Sequence, residues 1–264
     1  MKKKIDNINS LIKTEIELLS KMNHINIVKY YGVFVKGIKL NIVLEYCRGG
    51  SLLSLLKKIK KFDENVIKNY ISQVLDGLEY LHIHNIIHRD IKCANILLDK
   101  RTCKLTDFGG SKIIKNDSNL LTSSFNGTPN WMAPEIILNS KATRYSDIWS
   151  IGCTILEMYQ GEPPYYDKKN PLNVCKCIGK KELPKIPESM SDQLKDFVQK
   201  CLVFDPSKRY NVYQLKRHPF LQDDTYNSIS SSNASSTINS FRWLSLSFLG
   251  FIINDFLWTF ILKI

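Results

Sequence analysis

A chain of 264 residues, 44% of them hydrophobic, can bury one substantial core and belongs with globular proteins. Its formal net charge of +12 raises nucleic acid and anionic membrane as partners. Only seven of the 37 basic residues are Arg, however, and the tightest runs, Lys2-Lys3-Lys4 and Lys57-Lys58-Ile59-Lys60-Lys61, carry no interleaved aromatics. A solvated lysine-rich surface is therefore expected, and no nucleic-acid partner.

Residues 10–22 show helical periodicity, with Leu11, Ile12, Ile16, Leu19 and Met22 apolar and Ser10 as N-cap. Two strand-like runs follow, Ile27 to Val35 and Leu40 to Tyr46, with Lys36-Gly37 as the hairpin turn. Gly49-Gly50-Ser51 opens a short helix, and residues 64–84 form a longer one with Ile67, Ile71, Val74, Leu75, Leu78 and Leu81 on one face. From about 143 to 218 the pattern is mostly helical, broken at Pro163-Pro164, Pro171, Pro184, Pro187 and Pro206. A few strands followed by a helical body predict an α+β arrangement of two lobes with a cleft between them. Residues 222–240 read as a Ser/Asn-rich linker, and 241–264 as an apolar tail.

The seven cysteines are an odd number without zinc-finger spacing, and no His neighbours the one close pair, Cys175-x-Cys177. This points to buried thiols in a reducing compartment, with a cytoplasmic location expected. No apolar stretch of signal-peptide length follows the N-terminal lysines. Trp243 to Leu262 is long enough to span a bilayer as a helix. Its twelve Leu, Ile or Phe residues favour insertion, whereas Asp255 near the middle opposes it. The segment is a candidate C-terminal membrane anchor or a docking helix.

The chemistry is carried by His88-Arg89-Asp90-Ile91-Lys92-Cys93-Ala94-Asn95, then by Asp107-Phe108-Gly109 twelve residues beyond Asn95, and then by Ala133-Pro134-Glu135. In these three segments the sequence resembles the protein kinase superfamily. The resemblance implies a bilobal kinase fold over about residues 8–221, with the C-terminal lobe from about 48. It also implies transfer of the ATP γ-phosphate to a protein hydroxyl, with Mg²⁺ as cofactor. Asp107 then holds Mg²⁺ against the phosphates, Asn95 supplies a second hard oxygen, and Asp90 orients the substrate hydroxyl and accepts its proton. Lys92 places positive charge beside the transferring group.

The Asp-x-Lys-x-x-Asn spacing, with Thr128 in Gly127-Thr128-Pro129, resembles serine/threonine kinases. The resemblance further implies Glu15 as the helix carboxylate of the lysine ion pair, and Leu19, Tyr30, His88 and Phe108 as an apolar column based on Asp147. Arg209 would pair with Glu135. Leu44 would serve as gatekeeper, Glu45 to Cys47 as adenine-contacting hinge, and Leu97 as the floor under the base. Thr122, Ser123 and Ser124 are candidate phosphosites for an upstream activating kinase, with Arg89 as the phosphate's partner.

Glu45-Tyr46-Cys47-Arg48-Gly49-Gly50-Ser51-Leu52, Asp107-Phe108-Gly109-Gly110-Ser111-Lys112 and Gly127-Thr128-Pro129-Asn130-Trp131-Met132-Ala133 resemble the STE group, in particular mitogen-activated protein kinase kinase kinases. That implies a downstream kinase as protein substrate. Cys93 stands where the group usually has Gly, and Gly110 where it often has Ala. No Gly-x-Gly-x-x-Gly precedes Glu15 in this sequence, and Lys3 is only a near match to the lysine strand. Two readings stay open: a piece of an active kinase, or a kinase-like scaffold that works by binding. As written, the chain is expected to bind ATP poorly.

Overall fold

The computed structural model describes residues 16, 19–36, 39–113, 121–122, 128–168 and 170–222. Glu15, most of the expected first helix, the linker and the apolar tail lie outside these. Residues 19–21 are helical, and Leu19 and Met22 enter the core from there.

Two antiparallel strands open the described chain, β1 (Tyr30–Lys36) and β2 (Lys39–Leu44). β1 begins three residues later than the alternation suggests. Residues 27–29 serve another purpose: Ile27 bridges Leu105, and Val28 N–H donates to the Leu105 carbonyl at 2.9 Å. Lys36 pairs with Lys39, so it belongs to the ladder and not to the turn. β2 stops at Leu44, two residues early, because the chain leaves the ladder there to become the connection between the lobes. That connection leads through β3 (Gly50–Ser51) into α1 (Leu52–Ile59), whose N-cap Ser51 Oγ accepts from Ser54 N–H at 3.1 Å.

The second lobe is built on two helices. In α2 (Glu64–Ile83) the apolar face read from the sequence is buried throughout. α4 (Arg144–Gln160) starts in a capping box formed by Thr143 and Ser146, and every residue from Ser146 to Met158 is buried. A helix apolar on all sides belongs at the centre of a lobe. Gly161 ends it at a φ of 84°, and a Cβ there would lie 2.1 Å from the Lys60 carbonyl oxygen, so only glycine serves at this position.

Around this pair lie β4 (Ile86–Ile87), β5 (Ile96–Asp99), β6 (Thr102–Leu105), β7 (Lys112–Ile113), β8 (Leu121–Thr122), α3 (Pro134–Asn139) and β9 (Lys141–Ala142). α5 (Pro171–Gly179), α6 (Asp192–Cys201), α7 (Val212–Lys216) and α8 (Pro219–Gln222) follow. β3, β5 and β6 form one small antiparallel sheet, and β4–β7 and β8–β9 are two-stranded ribbons. Pro171 opens α5 where the sequence suggested a break, because a proline at the first helical position forgoes only an N–H that has no helical partner. One apolar core reaches from Leu19 and Ile42 through α2 and α4 to Phe220, joining the two lobes.

Candidate active site

The loop after β4 carries the reactive groups, and α4 holds it in place. The Asp147 carboxylate, fully buried, accepts from the backbone N–H of His88 at 3.0 Å and of Arg89 at 2.8 Å, and pairs with His82 Nε2 at 2.9 Å. These bonds hold Arg89 at a φ of 73°, a left-handed conformation costing about 1–3 kcal/mol in a non-glycine residue. The chain turns sharply there and presents Asp90 to the cleft.

Asp90 Oδ2 accepts from Lys92 Nζ at 2.7 Å and from Asn95 Nδ2 at 2.8 Å. Lys92 Nζ also donates to Thr128 Oγ1 at 2.9 Å. With Oδ2 saturated, Asp90 Oδ1 is the oxygen left to accept a proton from an incoming hydroxyl. Asn95 donates through Nδ2 to the Asp90 carbonyl as well, so its Oδ1 remains available as a hard donor.

Asp107 follows β6, also left-handed at a φ of 64°, and its exposed carboxylate has no hydrogen-bond partner among the described residues. Gly109 is exposed in the turn beyond it, closed by Ser111 N–H donating to the Phe108 carbonyl at 2.9 Å. Asp107 and Asn95 thus offer two hard oxygens, a set that fits Mg²⁺. Among the described residues no group of three or more His, Cys, Asp or Glu side chains could hold a metal alone, so phosphate oxygens must complete the shell. When bound, the ion supplies neutralisation of phosphate charge.

The cleft beside this site is a cavity of about 490 Å³ lined by Val28, Ile42, Leu44, Cys47, Leu97 and Phe108, among others. Glu45 turns its side chain out of the cleft, toward Lys104 Nζ at 3.1 Å, and its N–H donates to the Lys29 carbonyl at 2.8 Å. The Glu45 carbonyl and the Cys47 N–H have no partner among the described residues. They form the acceptor and donor a purine edge needs, above the apolar floor at Leu97. Burial and the nearby Glu45 push the Cys47 thiol up to about 11, so it stays protonated.

Leu19, Tyr30 and Phe108 share one core cluster, and the His88 ring lies 5.1 Å from that of Phe108. His88 Nε2–H donates to the Thr106 carbonyl at 3.0 Å while Nδ1 accepts from Asp90 N–H at 3.3 Å, which sets a neutral ring. Burial lowers its pKa below 6.5. Neutral His88 therefore contributes stability that is complete above 6.5 and is lost as pH falls through the lowered folded value. Urea unfolding between pH 7.5 and 5.5 is expected to show a steeper loss for the unsubstituted protein than for His88→Asn. Equal slopes would exclude His88 as the titrating group.

Arg209 grips Glu135 through both terminal nitrogens, at 2.9 and 3.1 Å, as the resemblance implied. Thr122 pairs with Lys141 in the β8–β9 ribbon, while Ser123 and Ser124 lie outside the described residues.

The family model of the protein kinase domain matches residues 1–221. The chain belongs to the protein kinase family. Within that family it is 47% identical over 211 residues to mitogen-activated protein kinase kinase kinase YODA of Arabidopsis thaliana, covering 79% of this chain and 24% of that protein. It is 45% identical over 213 residues to mitogen-activated protein kinase kinase kinase 3 of the same plant, covering 80% and 33%. Cytokinesis protein sepH of Aspergillus terreus is 46% identical over 213 residues, 80% of this chain and 16% of that protein. The chain spans from about a sixth to a third of the length of these curated relatives.

Sequence reasoning missed two members of this kinase site. Glu157 accepts from Cys93 N–H and Trp131 Nε1–H, and Lys104 fixes Glu45. The signal for Glu157 was present: it is a lone carboxylate in the apolar stretch Ile148 to Met158, and a charge there must have partners.

Proposed function

We propose that this protein transfers the γ-phosphate of ATP to serine and threonine hydroxyls of protein substrates, in a cascade of the mitogen-activated type. The observation that carries the reading is the closed set Asp90–Lys92–Asn95–Thr128, standing next to an apolar cavity with a free donor and acceptor on its hinge. Such a site positions a hydroxyl, accepts its proton and neutralises phosphate charge, which is most of what phosphoryl transfer requires. Thr128 on Lys92 favours the serine/threonine class. The relatives named as kinase kinase kinases support a downstream kinase as substrate and an upstream kinase acting on residues 122–124. A cytoplasmic location and a membrane anchor at 243–262 rest on composition. No helix among the described residues is long and apolar enough to cross a membrane.

The test is incubation of the purified protein with labelled ATP, Mg²⁺ and a general acceptor protein, followed by phosphoamino-acid analysis. Label on Ser and Thr that disappears with a metal chelator is expected. Label on Tyr would overturn the substrate class. A folded protein that neither binds nucleotide nor transfers label would leave the kinase-like scaffold.

A further inference from the structure

Glu157 carries a carboxylate that the phosphotransfer chemistry leaves unused. It lies near the end of α4, only 3% exposed, between two segments far apart in sequence. Its Oε2 accepts from the Cys93 backbone N–H and from the Trp131 indole N–H, both at 3.0 Å. The Cys93 side chain is hydrogen-bonded to the same carboxyl.

Cys93 directly follows Lys92, and Trp131 ends the short 3-10 turn that Thr128 caps. Lys92 and Thr128 are themselves bonded. Glu157 therefore ties the same two segments together at a second point, behind the reactive face. Two points of attachment fix the relative position of two segments far better than one. An apolar side chain would suit this stretch of α4. Burial pushes the Glu157 pKa upward, and the donors from Cys93 and Trp131 offset that.

We propose that Glu157 is a positioning residue that clamps the catalytic loop to the segment following the activation loop, keeping Lys92 and Thr128 in register with Asp90. The kinetic part of this inference rests on the phosphotransfer reading, and the structural part does not.

The experiment compares Glu157→Ala, Glu157→Gln and Trp131→Phe by native-state hydrogen exchange and by steady-state kinetics. In Glu157→Ala, exchange over 90–96 and 128–133 is expected to rise about tenfold or more while α6 stays unchanged. Its kcat is expected to fall about 100-fold with the KM for ATP within about twofold, because loosened positioning alone costs that much. Glu157→Gln keeps an oxygen for both donors and is expected to restore the protection and most of kcat. Unchanged exchange over 128–133 in the alanine variant would overturn the clamp. So would a glutamine variant no better than alanine, or a KM for ATP rising in step with the loss of kcat. If Glu157→Ala does not fold, Trp131→Phe decides, since it must loosen 90–96 as well as 128–133. An unsubstituted protein without phosphotransfer would sink the functional reading while the exchange arms still judge the clamp.

Discussion

Asp90→Asn is expected to lower kcat by about 10²–10⁴-fold, the range for loss of a positioned general base, with little change in thermal midpoint. The reason lies in the two donors on Oδ2. Lys92 Nζ and Asn95 Nδ2 both point at that oxygen, so an amide at position 90 must turn its carbonyl toward them. Its NH2 group then replaces Oδ1. The substrate hydroxyl meets a donor where it needs an acceptor, while the loop keeps its internal bonds. Steady-state kinetics at saturating ATP and acceptor, beside a thermal melt, make the check. A variant within about tenfold of the unsubstituted rate would show that Asp90 does not act as the base.

Arg209→Ala is expected to destabilise the domain by about 3–5 kcal/mol, measured as a shift in the urea midpoint. Removing the guanidinium strands the Glu135 carboxylate, buried and left with Ser146 Oγ at 2.6 Å as its remaining side-chain donor. It also frees three backbone carbonyls, those of Val203, Phe204 and Tyr145. Arg209→Lys is expected to recover only part of the loss, because an ammonium cannot reproduce the two-pronged bond. Replacing both Arg209 and Glu135 by leucine should be much milder than Arg209→Ala, since no unpaired charge remains. A double variant as unstable as the single one would mean that the bonds from Arg209 to the backbone matter more than the pair.

Much of the site was legible because phosphoryl transfer needs particular residue types at short spacings. Asp90, Lys92, Asn95 and Asp107 lie within eighteen residues of one another, and the structure brings the first three into direct contact. The long helices were legible from apolar periodicity, as in the buried face of α2. Strand ends were not. Residues 27–29 have a strand-like composition, but their backbone groups are claimed by β6. The role of Glu45 was only half legible. Its peptide faces the cleft, whereas its side chain is drawn away by Lys104, fifty-nine residues later in the chain, and no local pattern announces such a partner. Glu157 was missed for a similar reason, since its donors come from elements placed beside α4 only by the tertiary fold.

The central placement of α4 bears on how the domain is made. The acceptors for His88, Arg89 and Cys93 lie 58 to 64 residues further along the chain, all on that one helix. During synthesis at about 5–20 residues per second, the catalytic loop leaves the ribosome several seconds before the groups that will hold it. Contacts of such sequence separation form slowly, because the intervening loop must close before it is rewarded. The nascent chain therefore passes through a stage in which α2 can collapse but the site cannot yet exist, with the apolar surface meant for α4 open to the solvent. A chain ending before Arg144 would stay at that stage.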